Sequence, residues 1–169
     1  MKHFHYVLCL SEAKGMDIKM KLAIGCDEAA FNLKQEIIEY IRKKYVDIEI
    51  CDYGTFQGQT ALYPDVAWEV AQEVVSGKYD RGILMCGTGI GMAICANKVP
   101  GIRAAVCHDP FSAERARKSN DTQIMCIGAR IIGSELAKYL VDIWLNSEFS
   151  GGNSTRKVQR IEELEGRVI

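Results

Sequence analysis

Gly82-Ile83-Leu84-Met85-Cys86-Gly87-Thr88-Gly89-Ile90-Gly91-Met92 decides how this chain is read. An apolar run leads into a thiol, and the thiol leads into a loop rich in glycine. A short apolar run bounded by turn residues reads as a buried strand. A helix-like segment over 92–98 follows. Strand, glycine loop and helix in that order make the core of a β-α unit. Cys86 then stands at the carboxyl end of a strand, among backbone N–H groups that stabilise negative charge. One short loop can therefore supply a base and also hold the anion that the base makes.

The same alternation extends to both sides. Residues 21–26 read as a strand and 29–44 as a helix, with Phe31, Lys34, Ile37, Ile38, Ile41 and Tyr45 near the helical period. A strand is predicted over 48–52, then a helix over 64–77 opened by Pro64 and striped by Val66, Val70 and Val74. Beyond the Cys86 loop come strands over 103–107 and 123–128, with helices over 110–119, 134–145 and 157–165. This pattern predicts an α/β fold: a mainly parallel five-stranded sheet with helices on both faces. In such sheets ligands bind at the carboxyl ends of the strands. That edge would carry Asp27-Glu28, Tyr53-Gly54-Thr55, the Cys86 loop, His108-Asp109 and Gly128-Ala129-Arg130.

With 169 residues, 48% of them apolar, the chain suits one domain with a sizeable core. Residues 1–19 read as a flexible N-terminal extension and 20–169 as the domain. A net charge of −1 with both signs interspersed argues against nucleic acid or a membrane surface as partner. No apolar run approaches the ~18 residues needed to span a bilayer. The cysteines number 7, an odd count, and no C-x-x-C pair occurs. Cys26, Cys51, Cys107 and Cys126 lie within apolar runs and read as buried thiols in a reducing, cytoplasmic compartment, not as a disulfide framework or a zinc site.

The predicted edge offers a thiol, carboxylates, an imidazole, a guanidinium and a glycine loop. It shows no metal-ligand spacing and no G-x-x-x-x-G-K-[ST] loop, so neither metal nor cofactor is expected. This set suits proton abstraction beside a carbonyl, which needs a base, an oxyanion hole and a second proton carrier. Arg130, with Arg156, Lys157 and Arg160, suits an anionic handle such as phosphate. Each residue also has a plainer reading. Cys86 can be a buried strand-end cysteine, His108 a structural histidine, and Asp27 and Asp109 helix caps. Lys157 and Arg160 can be a solvated helix face. A nucleotide-binding module is a further alternative, but Gly91 falls one place early for G-x-G-x-x-G and the loop follows the third strand.

The motif from Cys86 to Gly91, followed by Ala96-Asn97-Lys98-Val99-Pro100-Gly101-Ile102-Arg103-Ala104, resembles the ribose-5-phosphate isomerase B family, which includes galactose-6-phosphate isomerase subunits. Gly25-Cys26-Asp27, Tyr63-Pro64, Asn120-Asp121, Gly128-Ala129-Arg130 and Gly151-Gly152 match in order. The resemblance covers about residues 20–165. It implies a Rossmann-like α/β/α three-layer sandwich and a homodimer, or a tetramer, with sites between subunits. It implies metal-free aldose–ketose isomerisation of a phosphorylated sugar, of the ribose 5-phosphate type, through a cis-enediolate. Cys86 matches the catalytic base; Thr88 and the amides of Gly87, Gly89 and Gly91 match the anion hole. Asp27 matches the acid at the sugar's ring oxygen or hydroxyls, Tyr63 and Asn120 match substrate contacts, and Arg130 and Lys157 match phosphate-binding positions. Three histidines usual in the family are absent: Glu28, Ser119 and Ser154 stand in their places. The Ser119 position is the one linked to ring opening. His108, within Cys107-His108-Asp109-Pro110, resembles a branch that includes tetrulose-4-phosphate isomerases. Two alternatives follow: a tetrulose-4-phosphate isomerase that needs no ring opener, or an enzyme in which His108 takes over that duty. A non-catalytic phosphosugar-binding subunit is a third.

Overall fold

The computed structural model describes residues 8–10 and 18–166. Strands are β1 (Leu8–Leu10), β2 (Met20–Cys26), β3 (Ile48–Asp52), β4 (Arg81–Cys86), β5 (Ala104–Val106) and β6 (Ile124–Gly128). Helices are α1 (Phe31–Lys44), α2 (Tyr63–Val75), α3 (Ile90–Ala96), α4 (Pro110–Lys118), α5 (Ser134–Leu145) and α6 (Thr155–Glu165). All five expected strands are present and parallel to one another, in the order β3-β2-β4-β6-β5. β1 adds an antiparallel strand outside β3, from a segment that the sequence pattern did not mark as sheet. The rest of the expected N-terminal extension, apart from residues 18 and 19, lies outside the described residues, as do 167–169.

Alternation along each strand sorts the core into two layers. Leu22, Ile24, Ile83, Met85, Met125 and Ile127 pack with α1, α5 and the inner side of α4. Ala23, Leu84, Cys86, Ile124 and Cys126 face α2 and α3. β4 is buried at every residue because it has strand neighbours on both edges and helices on both faces. Two cations are buried with it. Arg81, at the start of β4, donates from Nη1 to the carbonyls of Trp144 and Leu145 at 2.9 and 3.0 Å, and from Nη2 to that of Ser147 at 3.1 Å. It thus satisfies carbonyls that the end of α5 leaves unpaired. Lys34, on the apolar stripe of α1, is fully buried against Asp52 at the end of β3.

One expectation about cysteine is corrected. Cys26, Cys107 and Cys126 are free and buried, but Cys51 is disulfide-bonded. In the β1–β3 register Cys51 stands opposite Cys9. Neither an odd cysteine count nor the lack of a C-x-x-C pair excludes a disulfide between distant segments of the chain.

The chain leaves β2 through α1 to reach β3 on one side, then returns through α2 to β4 on the other side of β2. The direction of winding therefore reverses between the parallel neighbours β2 and β4, and a crevice opens outside their carboxyl ends. β2 ends at Cys26, beside Asp27, and β4 ends at Cys86.

Candidate active site

Cys86 is in phase with Gly82 and Leu84, so its side chain lies on the α2–α3 face of the sheet, at the mouth of the crevice. The Gly89 N–H donates to its sulfur at 3.1 Å. Gly89 holds φ 75°, a left-handed conformation that lets the loop turn back over its own thiol before α3 begins. Thr88 is exposed in the same loop, and its hydroxyl accepts from the Ile90 N–H at 3.4 Å. The other strand cysteines differ in kind. Burial pushes the thiols of Cys26 and Cys107 up to about 12, and that of Cys126 well above the ordinary range. These three are wholly enclosed fillers of the core, whereas Cys86, at the end of β4, keeps 6% of its surface open.

Three groups close around the loop. Ala129 and Arg130 donate backbone N–H groups to the carbonyls of Cys86 and Gly87 at 2.8 and 3.1 Å, which stitches the turn after β6 to the Cys86 loop. The Arg130 guanidinium then lies over Gly87: a β-carbon there would stand 3.5 Å from its Cδ and Nε. The Tyr63 ring lies on Gly91 so closely that a β-carbon there would come within 2.6 Å of it. Asp27 faces this group from β2. Its Oδ1 accepts from the Ala29 N–H at 3.0 Å, so it does cap the short 3-10 turn Glu28–Ala30. Burial raises its pKa, opposed by the Ala29 hydrogen bond and by Arg130. A carboxyl moved up in this way exchanges protons with sugar hydroxyls more readily than an ordinary aspartate.

Gly128 opens the Gly128-Ala129-Arg130 stretch expected at this edge, and the structure gives it a part of its own. It pairs with Cys86 in the β4–β6 register, and a β-carbon on it would lie 2.7 Å from Cα and C of Thr88. Gly128→Ala is expected to push the Cys86 loop outward and to lower kcat/KM on the order of 10²-fold, since an ångström of misplacement costs about that much. Steady-state kinetics on a variant with a native circular dichroism spectrum would check this.

Other predicted positions stand elsewhere. His108 lies just beyond β5, half-buried, and its Nε2 accepts from the Gly128 N–H at 2.9 Å. Asp109 caps α4 through the Ser112 N–H. Tyr53 is buried against Tyr79, and Thr55 bonds the Cys26 carbonyl, so both serve the fold. Asn120 and Lys157 are not brought to Cys86 within one chain. Asn120 precedes β6, and its carbonyl accepts from Arg103, which precedes β5. Lys157 is exposed on α6, whose Glu162 and Glu165 reach Arg103 and the Gly101 N–H. Both therefore sit at the amino edge of the sheet. α6 buries Val158 alone and, with Asn153, lines an open groove carrying Arg156, Lys157 and Arg160.

Comparison with known proteins gives the same architecture a family. Residues 22–161 match the ribose/galactose isomerase family model. A ribose-5-P isomerase B of Listeria innocua is 57% identical over 146 residues, covering 86% of this chain and 97% of the relative. A D-erythrulose-4-phosphate isomerase of Pectobacterium atrosepticum is 51% identical over 84% of this chain and 93% of its own length. The solved ribose-5-phosphate isomerase B of Clostridium thermocellum superposes with a TM-score of 0.85 at 45% identity, covering 89% of this chain and all of that one. With the Cys86 loop, the parallel sheet and these matches in agreement, the chain belongs to the ribose/galactose isomerase family of sugar-phosphate isomerases.

Proposed function

We propose that this aldose–ketose isomerase uses Cys86 as the base that moves a proton between C1 and C2 of a phosphorylated sugar. The observation that carries this is a sulfur at the switch-point edge that takes an N–H from its own glycine loop, with the Arg130 guanidinium over Gly87 and Asp27 close enough to feel its charge. The thiolate removes the proton from the carbon beside the carbonyl, and the electron pair moves onto oxygen to give a cis-enediolate. The amides of Gly87 and Gly91, with Thr88, face the developing oxyanion, while the Gly89 N–H stays on the sulfur. The thiol returns the proton to the neighbouring carbon. Asp27 serves the hydroxyls or ring oxygen, Tyr63 bounds the sugar, and Arg130 holds the phosphate.

Phosphate grip by Lys157 and contact by Asn120 require a second copy of the chain, because one copy carries them at the opposite edge from Cys86. A homodimer with sites between subunits fits the thinly packed α6 and the exposed Leu62, Trp68, Ile90 and Ile94 of the α2–α3 layer. Complementation tests it. A Cys86→Ala chain and a chain with Arg156, Lys157 and Arg160 all changed to alanine are each expected to be inactive. After random reassortment about a quarter of the sites should be whole again. No recovery on mixing would argue for sites within one subunit.

The substrate we propose is a pentose 5-phosphate. A second reading, a tetrulose 4-phosphate, is favoured by Ser119, since a four-carbon ketose 4-phosphate forms no furanose through its phosphorylated end and needs no ring opener. A coupled assay across four-, five- and six-carbon phosphosugars separates the two by kcat/KM. A folded enzyme that turns over none of them would overturn both. No helix among the described residues is long and apolar enough to cross a membrane. A cytoplasmic setting is part of the proposal, supported by the free thiols, whereas the Cys51 disulfide suits an oxidising compartment.

A further inference from the structure

The β5–β6 ladder runs out just below the candidate site. Val106 pairs with Cys126, and Cys107 still donates its N–H to the Cys126 carbonyl at 3.0 Å, but β5 has ended. The next ladder bond would take the Gly128 N–H to the carbonyl of Cys107, just past β5. The imidazole of His108 takes that place instead, with Nε2 accepting at 2.9 Å.

An Nε2 that accepts from an amide carries no proton, so the ring is neutral and its proton sits on Nδ1. Such a ring has its only basic lone pair engaged, and a neutral imidazole N–H is far too weak an acid to protonate a sugar oxygen. To carry a proton, His108 would first have to release Gly128. Burial also lowers its pKa, with Asp109 pulling the other way, and this favours the neutral form.

The bond it makes bears on the reaction. Gly128 begins the turn that donates from Ala129 to the Cys86 carbonyl and from Arg130 to the Gly87 carbonyl. Gly128 also lies against the backbone of Thr88. We propose that His108 is a positioning residue: as a fixed acceptor for the Gly128 N–H, it holds the turn of residues 128–130 in register and thereby aims Arg130 across the Cys86 loop. This rests on the reading of that loop as the catalytic centre.

Glutamine and asparagine separate this role from proton transfer. The Gln amide reaches the place of Nε2, whereas the Asn amide reaches only that of Nδ1. In the full-length enzyme, H108Q is expected to keep most of the activity. H108N and H108A are expected to lose about tenfold, the worth of one net hydrogen bond, mainly as a rise in KM for the phosphorylated substrate. The loss should be equal on an open-chain substrate, D-erythrulose 4-phosphate, and on ring-forming D-ribose 5-phosphate. Equal losses in all three variants confined to the ring-forming sugar would overturn the proposal and make His108 a proton carrier. Hydrogen exchange of the Gly128 amide by NMR reads the bond without any turnover: it should quicken in H108A and H108N and stay slow in H108Q. Slow exchange in H108A would overturn the proposal while leaving the role of Cys86 intact. The role of Cys86 is judged separately, by whether Cys86→Ala remains active.

Discussion

Cys86→Ser is expected to fold as the parent does and to lose ~10²- to 10⁴-fold in kcat, the usual worth of a positioned general base. The substitution isolates the chemistry from the scaffold. A serine oxygen can accept the Gly89 N–H that the sulfur accepts now, and Cys86 is nearly buried, so the smaller atom disturbs little packing. What changes is the ease of ionisation: a hydroxyl gives up its proton far less readily than a thiol. KM should move little, because Arg130 and the loop amides still hold the substrate. Wash-in of solvent deuterium at C1 or C2 should fall in parallel with turnover. A serine variant that keeps parental kcat would remove Cys86 from the mechanism and leave the glycine loop as a binding element.

Lys34→Met should destabilise the fold by about 3–5 kcal/mol, the cost of leaving one partner of a buried ion pair alone, and lower Tm by roughly 10 °C. The Lys34 ammonium is wholly enclosed. It donates to Asp52 Oδ1 at 2.6 Å and to the carbonyls of Gly54 and Thr55 at 3.2 and 2.9 Å, beneath the rings of Phe31 and Phe56. Its removal leaves the buried Asp52 carboxylate with the Gly54 N–H at 3.1 Å but no counter-ion, and takes the ammonium donor from two carbonyls. Because Thr55 in turn bonds the Cys26 carbonyl, next to Asp27, the damage should also reach the active site as a loss of kcat/KM. A Lys34→Met, Asp52→Leu double variant should recover part of the stability, since no lone charge is then left buried. Thermal melts of the three proteins decide the point. A single variant that melts within a degree or two of the parent would mean that water reaches this site.

Much of this was legible in the chain. The β-α alternation placed every parallel strand within a residue or two, and the glycine loop after an apolar run draws attention to Cys86. The elements that escaped did so for a common reason: they depend on contacts between distant segments. Lys34 lies on the apolar stripe of α1, where a charge is out of place, yet nothing local names Asp52 as its counter-ion. The same holds for Arg81, whose partners are backbone carbonyls that carry no sequence signal. Asn120 and Lys157 were grouped with Cys86 by resemblance. A residue that follows a helix and precedes a parallel strand must fall at the amino edge, and Asn120 does so, ahead of Ile124. His108 was marked by its strand-end place, but its tautomer follows from the Gly128 amide, twenty residues on.

The short antiparallel β1 has a consequence for how the molecule behaves in crowded solution. Without it, the five residues of β3 would present a bare row of amide and carbonyl groups, which is a template on which another chain can extend the sheet. β1 occupies three of those positions, from Ile50 to Asp52. At the far side the open strand is β5, only three residues long and too brief a template to nucleate stacking. The enzyme is thus guarded at both margins against end-to-end polymerisation, at one by a borrowed ribbon and at the other by brevity.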